Sequence, residues 1–200
     1  MKTKGFTLLE LVIVIGILAV LGTVSVLVLN PAQLFAQARD TTRIQDLDTM
    51  KSALSLYLSS VSSPDLDFTG ALSCTTMCFS AAAIGAAADG CTGADVVRHG
   101  TKTSTVDATR ENDGNGWVPV ALSGISGGAP LAVLPIDPSN TTTYFYSYAC
   151  DNTAKTFELN ANMESDRYKN GGNDDREINT KDGGTVNTIY EVGTDSGLDL

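Results

Sequence analysis

The sequence predicts an α+β fold in which a long N-terminal α-helix carries a C-terminal antiparallel β-sheet. Residues 6–29 form an almost wholly apolar run, and a second stretch with helical periodicity follows it. Residues 143–149 are rich in aromatic and β-branched side chains, and residues 156–163 alternate between apolar and polar ones, which is typical of strands. The 200 residues carry 13 basic and 23 acidic side chains, so the chain lacks the basic surface that binds nucleic acid.

The apolar run of residues 6–29 contains one charged side chain, Glu10. A helix of these 24 residues extends about 36 Å, which is enough to cross the ~30 Å hydrocarbon core of a bilayer. Lys2 and Lys4 precede the run, and basic residues favour the cytoplasmic side of a membrane. The sequence therefore predicts a single membrane-spanning helix with its N-terminus inside the cell and the remaining chain outside.

Glu10 is the informative exception, because a carboxylate in hydrocarbon raises the free energy of insertion. In one interpretation Glu10 lies near the interface, where it is hydrated or protonated. In the other it pairs with a cation, since cleavage between Gly5 and Phe6 would free an α-amino group at the same membrane depth. We expect the helix not to satisfy Glu10 itself, because its own N-terminus is one turn away and already crowded with unpaired N–H groups. A neighbouring subunit would then supply the amine.

The segment Gly5-Phe6-Thr7-Leu8-Leu9-Glu10 stands between a short basic leader and the apolar run. It resembles the class III signal of type IV pilins and type II secretion pseudopilins. The resemblance implies that residues 1–5 are a leader peptide, and that prepilin peptidase cleaves after Gly5 and N-methylates Phe6. It also implies that Glu10 pairs with the N-terminus of a neighbouring subunit during assembly.

The competing interpretation is an ordinary secretory signal peptide, for which Ala36-Gln37-Ala38 supplies a cleavage site. The apolar run is too long for the hydrophobic region of such a peptide, and this site lies well past its end. We therefore favour the pilin-like interpretation.

The resemblance implies a structural function and not an enzymatic one. The first expectation is a type IV pilin-like subunit of a helical surface filament that serves adhesion, motility or DNA uptake. A type II secretion pseudopilin of a short, piston-like pseudopilus is the alternative, and a minor tip adhesin that uses residues 65–113 is a weaker one. The implied partners are other copies of the chain, prepilin peptidase, a pilus or secretion assembly platform, and the cytoplasmic membrane before assembly into an extracellular filament.

Residues 30–60 are predicted to continue the helix outside the membrane, with Pro31 inside the helix bending its axis. An apolar stripe at three- and four-residue spacing indicates that one face packs against a covering domain. Its members are Ile44, Leu47, Met50, Leu54, Tyr57, Leu58 and Val61. Arg43 and the neighbouring charged residues are placed largely off this stripe, and Ser62-Ser63-Pro64 ends the helix.

Residues 61–116 are predicted to form a loop region with a short Ala-rich helix at Ser80–Ala88. Residues 117–200 are predicted to form a sheet of three or four strands, half buried on the helix, followed by an acidic, Gly-rich loop. Strands are expected from Trp117, over 143–149, over 156–163 and over 187–192, with a hairpin at Asp151-Asn152-Thr153. The stretch LPIDPSNTTTYFYSYACDNTAKTFELNANME resembles the head of pseudopilin-like pilins.

Four cysteines, Cys74, Cys78, Cys91 and Cys150, fall on the predicted extracytoplasmic side, where disulfides form. The preferred arrangement joins Cys74 to either Cys78 or Cys91. Cys150 then pairs with the one of these two that remains. Free buried thiols and a zinc site are the alternatives, and His99, the single histidine, disfavours zinc.

Three further patterns are weighed as possible sites. Residues 124–128 fit a G-x-S-x-G nucleophile elbow around Ser126, but the flanks read as loop and the single histidine precedes the serine. Calcium is a weak possibility at Asp174, Asp175 or Asp182, because pseudopilins of the secretion system hold calcium in a C-terminal loop; a solvated loop is preferred. The side chains of Tyr144, Tyr146 and Tyr148 are expected on one face of a strand, either as a contact surface or as the cover of the sheet's outer face.

Overall fold

The structure is a computed structural model that describes residues 5–68, 73–82, 91–93, 97–172 and 176–200. Within these residues, two helices precede five strands and one short 3-10 helix, so the predicted order of helix and sheet is confirmed. The helices are α1 (Leu8–Leu29) and α2 (Pro31–Ser60). The strands are β1 (Met77–Ser80), β2 (Thr103–Val106), β3 (Tyr146–Asp151), β4 (Thr156–Ala161) and β5 (Tyr190–Gly193), and the 3-10 helix is Leu122–Gly124.

The long helix is interrupted at Asn30, whose backbone is left-handed with φ 39° and ψ 77°. A residue before proline is disfavoured in the right-handed helical region, and asparagine tolerates the left-handed one. Pro31 therefore begins α2 instead of bending a continuous helix, which corrects the prediction. The Asn30 carbonyl accepts hydrogen bonds from the N–H groups of Gln33 and Leu34 at 3.0 and 3.3 Å, so the new helix starts at once.

The sheet is mixed, with the strand order β2-β1-β3-β4-β5. Strands β1, β3, β4 and β5 pair antiparallel, whereas β1 and β2 pair in parallel. The prediction of an antiparallel sheet of three or four strands therefore missed β1 and β2. Both lie within residues 61–116, which were predicted to be a loop region. These two strands have four residues each, too few to show a clear alternation of side chains.

The β3–β4 hairpin was predicted correctly and spans six residue pairs, from Tyr146–Ala161 to Asp151–Thr156. Asp151 Oδ1 accepts hydrogen bonds from the N–H groups of Thr153 and Ala154 at 2.7 and 2.9 Å. This is the Asx-type turn chemistry expected of an aspartate at a hairpin turn. The predicted strand at 117–120 is wrong, because these residues run irregularly through the core.

The core lies between α2 and the sheet, and the apolar stripe of α2 supplies one side of it. Leu47, Met50, Leu54 and Tyr57 are buried, as the spacing predicted, whereas Ile44, Leu58 and Val61 are only half-buried. The large side chains that face them are Trp117, Tyr146, Tyr148 and Phe157. Trp117 donates its indole N–H to the Pro135 carbonyl at 3.0 Å, which satisfies its polar atom inside the core.

The tyrosines do not form the predicted exposed or outer face. Tyr146 and Tyr148 lie in the core, where their hydroxyls donate to Asp46 Oδ2 at 2.8 Å and to the Leu66 carbonyl at 3.1 Å. Tyr144 precedes β3, and its ring centroid lies 4.9 Å from the guanidinium carbon of Arg43. Tyr144 lies outside β3, so the prediction of a shared face is wrong for it. Tyr146 and Tyr148 do share one face of β3, the face that packs in the core.

The central strands β3 and β4 are buried on both faces, which corrects the prediction of a half-buried sheet for this part of it. Glu158 and Asn160 on the polar face of β4 are wholly buried. Asn160 donates to the Arg98 carbonyl at 3.4 Å, and Glu158 accepts from the Leu200 N–H at 2.9 Å. The polar face of the strand is therefore covered by segments distant in sequence. Ser80, predicted to start an Ala-rich helix, ends β1, and the rest of that predicted helix lies largely outside the described residues.

Candidate functional site

The first candidate site is the start of α1, where Thr7 and Glu10 form a capping box. Thr7 Oγ1 accepts from the Glu10 N–H at 3.2 Å, and Glu10 Oε2 accepts from the Thr7 N–H at 2.8 Å. The Thr7 hydroxyl also donates to Glu10 Oε2 at 2.8 Å. Two N–H groups at the helix start thereby find partners within the same chain.

This capping box corrects the expectation that the helix leaves Glu10 unsatisfied. The signal was present in the sequence, because a threonine followed three residues later by a glutamate is the capping-box pattern. Both donors of Thr7 converge on Oε2, and no residue in the part of the chain that the structure describes donates to Oε1. Gly5 and Phe6 precede the cap in non-helical backbone, and Phe6 is 88% exposed. The Gly5–Phe6 bond is therefore accessible at the helix start.

Helix α1 offers its apolar side chains to its surroundings on every side. Its described large apolar residues are 48–81% exposed, from Val14 to Leu8. The hydroxyls of Thr23 and Ser25 donate to the carbonyls of Val20 and Leu21 at 2.9 and 2.8 Å, so they add no unpaired donor. Within the described part of the chain, this helical run is the one long and apolar enough to cross a membrane.

A buried ionic cluster, which the sequence prediction missed, fastens the head to α2. Arg43 is wholly buried and donates from Nε and Nη2 to the two oxygens of Asp137 at 2.7 and 3.0 Å. Arg43 Nη1 donates to Asp40 Oδ1 at 2.7 Å. Hydrogen bonds and charge attraction from Asp137 and Asp40 outweigh the opposing effect of burial and raise the pKa of Arg43. The Arg43 charge is thereby retained inside the protein.

Asp40 extends this cluster to the far end of the hairpin. Its carboxylate accepts from the Glu164 N–H at 2.9 Å and from the Ser165 N–H and hydroxyl at 2.8 and 2.6 Å. Arg39 binds Glu164 through both carboxylate oxygens. A sequence signal was available, since positions 36, 40, 43, 47, 50, 54 and 57 continue one stripe at helical spacing and all are buried.

The four cysteines form two disulfides, Cys74–Cys150 and Cys78–Cys91. The preferred arrangement, which joined Cys74 to Cys78 or Cys91, is therefore wrong. Cys78 lies in β1 and Cys150 in β3, and the register of the sheet brings Cys74 to Cys150 instead of to its near neighbour. Spacing along the chain carried no information on this pairing, because it depends on which strands are adjacent.

The G-x-S-x-G pattern around Ser126, which the sequence analysis disfavoured, does not form a nucleophile elbow. It begins at the end of a short 3-10 helix instead of a strand, and the histidine contacts Ser147. His99 Nε2 is 2.9 Å from Ser147 Oγ, and His99 Nδ1 is 3.6 Å from Glu158 Oε1. Burial, aided by the charges of Arg98 and Lys102, lowers the pKa of His99 to about 3. All three side chains are buried, so this arrangement does not present a nucleophile to solvent.

The acidic C-terminal region uses Asp182 for backbone contacts. Its Oδ1 accepts from the Gly184 N–H at 3.0 Å and its Oδ2 from the Glu191 N–H at 2.9 Å. Asp174 and Asp175 lie outside the described residues. Among the residues that the structure describes, no three histidine, cysteine or acidic side chains form a group that could hold a metal ion.

Comparison with known proteins places one family motif on the chain. Residues 1–26 match the family model described as the prokaryotic N-terminal methylation motif. The chain thus carries the class III prepilin signal of type IV pilins and pseudopilins, and its helix and sheet have a pilin-like arrangement. No curated protein and no solved structure matches the chain with significant similarity.

Proposed function

We propose that the chain is a type IV pilin-like structural subunit that polymerises into a helical surface filament. Prepilin peptidase removes residues 1–5 and methylates the new amino group of Phe6. Before assembly, α1 crosses the cytoplasmic membrane, with the head on the outer side. The methylation motif over residues 1–26 supports this precursor class.

The observation that carries the proposal is the apolar surface of α1, which the head does not cover. The described large apolar side chains of this helix remain about half exposed or more, and moving such a surface into water is strongly unfavourable. Lipid covers it before assembly. Extraction from the membrane is tolerable only if the α1 helices of other subunits cover it afterwards, as they do in the core of a filament.

Glu10 sets the position of an arriving subunit in this proposal. Oε2 remains in the capping box with Thr7, and Oε1 accepts from the amino group of Phe6 in a neighbouring subunit. The two charges of an ion pair attract each other more strongly among apolar helices than in water. The same carboxylate therefore caps its own helix and aligns the next one.

Two substitutions of Glu10 separate capping from pairing. Glutamine preserves the capping box but has no charge, whereas alanine removes both. We expect Glu10→Gln and Glu10→Ala to be cleaved at Gly5 at the normal level in a host with a compatible assembly system, and both to form few or no filaments by electron microscopy. Normal filament abundance in Glu10→Gln would exclude the ion pair as the aligning contact.

A further inference from the structure

A short segment of the head, residues 164–169, lies at the foot of α2 and is called the foot segment below. Several contacts with α2 hold it there, and three of them come from Asp166 and Glu164. The Asp166 N–H donates to Gln33 Oε1 at 3.0 Å, the Glu164 N–H donates to Asp40 Oδ1 at 2.9 Å, and Arg39 binds Glu164. The foot segment is therefore fixed beside the first turns of α2.

The height of the foot segment above the membrane follows from helix geometry. Helix α1 has 22 residues and extends about 33 Å, close to the ~30 Å thickness of the hydrocarbon core. Gln33 follows Leu29 by four positions, which is about 6 Å of helix rise. The headgroup region adds about 5–7 Å on each side of the core. With α2 in line with α1, these lengths place the foot segment among the headgroups. A bend at Asn30 brings the segment closer to the hydrocarbon core, so it still reaches the headgroups.

The side chains of the foot segment suit that environment. The side chain of Arg167 is half-buried, and its guanidinium carbon lies 5.6 Å from the ring centroid of Tyr168. Arg167 Nε is buried without an acceptor among the described residues, so only the outer nitrogens of the guanidinium can face the headgroups. The side chain of Lys169 is 41% exposed and its ammonium lies 2.6 Å from Asp166 Oδ1. Tyrosine is enriched at the membrane interface, and arginine and lysine there place a charged end among the headgroups.

We propose that the foot segment binds the phospholipid headgroups of the outer leaflet while the subunit waits in the membrane, with Arg167 and Lys169 contacting lipid phosphates. This proposal rests on the proposed function, because it requires α1 to span the bilayer. Arg39 pairs with Glu164 and Lys169 with Asp166, whereas Arg167 forms no ion pair among the described residues. With the buried cluster of Arg43, Asp40 and Asp137 included, the charges of this region sum to zero. Binding therefore depends on position at the surface more than on strongly anionic lipid. The head is held at a fixed height, and extraction into a filament breaks this contact.

Tryptophan quenching in lipid nanodiscs tests the proposal with the full chain. Trp117 is the single native tryptophan. Its fluorescence is present in every variant, and its quenching is measured in the unmodified protein as the background. Two variants are the foot reporters: Tyr168→Trp, and Asn170→Trp at an exposed neighbour that disturbs the packing less. Thr153→Trp is the hairpin reporter and the control, because its turn lies beside Asp65, near Tyr57 at the other end of α2. Ile17→Trp, in the middle of α1, is the core reporter.

A nitroxide on the lipid headgroup is expected to quench both foot reporters at least twofold more than the hairpin reporter, whereas bromine atoms in the acyl chains quench the core reporter. Equal quenching of the foot and hairpin reporters, with the core reporter still quenched by bromine, overturns the foot contact alone. If bromine fails to quench the core reporter, α1 does not span the bilayer, and the proposed function fails as well.

A double charge removal tests the assigned phosphate contacts. We expect Arg167→Gln together with Lys169→Gln to lower the headgroup quenching of the Asn170→Trp reporter by about half. Lys51→Gln, on α2 outside the foot segment, leaves it unchanged. Unaltered quenching in the double variant would overturn the assignment of Arg167 and Lys169 as the lipid-binding residues.

Discussion

Arg43 and Asp137 form a two-pronged ion pair in which both side chains are wholly buried. Arg43 comes from α2, and Asp137 comes from the loop that leads into β3. Asp137 Oδ1 also accepts from the Ser139 N–H at 2.8 Å, so the carboxylate shapes its own loop while it holds the helix. This pair, distant in sequence, is therefore one of the contacts that fix the orientation of the head on the helix.

Removing one partner of this pair is expected to destabilise the head strongly. Asp137→Ala leaves the Arg43 charge buried without its main partner, which costs about 3–5 kcal/mol. Replacing both residues with apolar ones of similar volume, in Arg43→Met with Asp137→Leu, and changing the third buried member of the cluster in Asp40→Asn, leaves no buried charge unpaired. This variant should cost less than Asp137→Ala alone. Chemical denaturation of the full chain in detergent measures both values. Asp48→Ala, at an exposed position on α2, is the control, and a loss of stability as small as in this control would contradict the role given to the pair.

The two disulfides should contribute unequally to stability. The Cys74–Cys150 bond closes a loop with a sequence separation of 76, whereas Cys78–Cys91 closes one of 13. Loop-closure entropy predicts losses of about 4.5 and about 3 kcal/mol when each bond is removed. We expect the double substitution Cys74→Ala, Cys150→Ala to lower the denaturation midpoint further than Cys78→Ala, Cys91→Ala.

Peptide mapping without reduction checks the pairing itself. A peptide that contains Cys74 linked to Cys150 is expected, and one that links Cys74 to Cys91 would contradict the structure. With that pairing the two loops have other lengths, so the predicted order of the two denaturation midpoints no longer applies.

The head should lose stability as the pH rises from about 6.5 to about 8, above which the loss from the two buried glutamates is complete. Burial raises the pKa of Glu158 to about 7 and, together with the charges of Glu158 and Asp182, raises that of Glu191 to about 8. Both carboxyls are protonated more readily in the folded than in the unfolded chain, so folding takes up protons and stability falls as the pH rises through these values. The acidic Asp195 and Asp199 also raise the pKa of Glu158.

His99 acts in the opposite direction at lower pH. Its folded pKa of about 3 lies below the ordinary value of 6.5, so its stabilising contribution is lost as the pH falls below about 6.5. The alkaline window is therefore the clean test of the two glutamates. Thermal denaturation of Glu158→Gln and Glu191→Gln should show a smaller loss between about pH 6.5 and about pH 8 than the unmodified chain. An unchanged slope in both variants would contradict the assignment.

The sequence predicted those features that depend on local periodicity and on one specific motif. The apolar run, the stripe from Leu47 to Tyr57 and the β3–β4 hairpin are confirmed, because each is visible within a short window of sequence. The motif at residues 1–26 is likewise local. The break at Asn30 was missed because proline was treated as a bend within a helix, although the residue before it bears the constraint.

The features that the sequence did not predict depend on contacts between distant segments. Arg43 was placed off the buried stripe because a charged residue is seldom buried without partners, and its main partner follows it by 94 positions. The same reason applies to Glu158 and Asn160. Their alternation with apolar residues is typical of a solvent-exposed face, but Arg98 and Leu200 cover them. The Cys74–Cys150 pairing also required the order of the strands.

The most direct test of the account is the mass of the mature N-terminal peptide, isolated from membranes of a host that has a prepilin peptidase. The proposed function predicts a chain that begins at Phe6, with one methyl group on its α-amino nitrogen. A mature chain that begins at Arg39, after the alternative cleavage site, or that still begins at Met1 would contradict it.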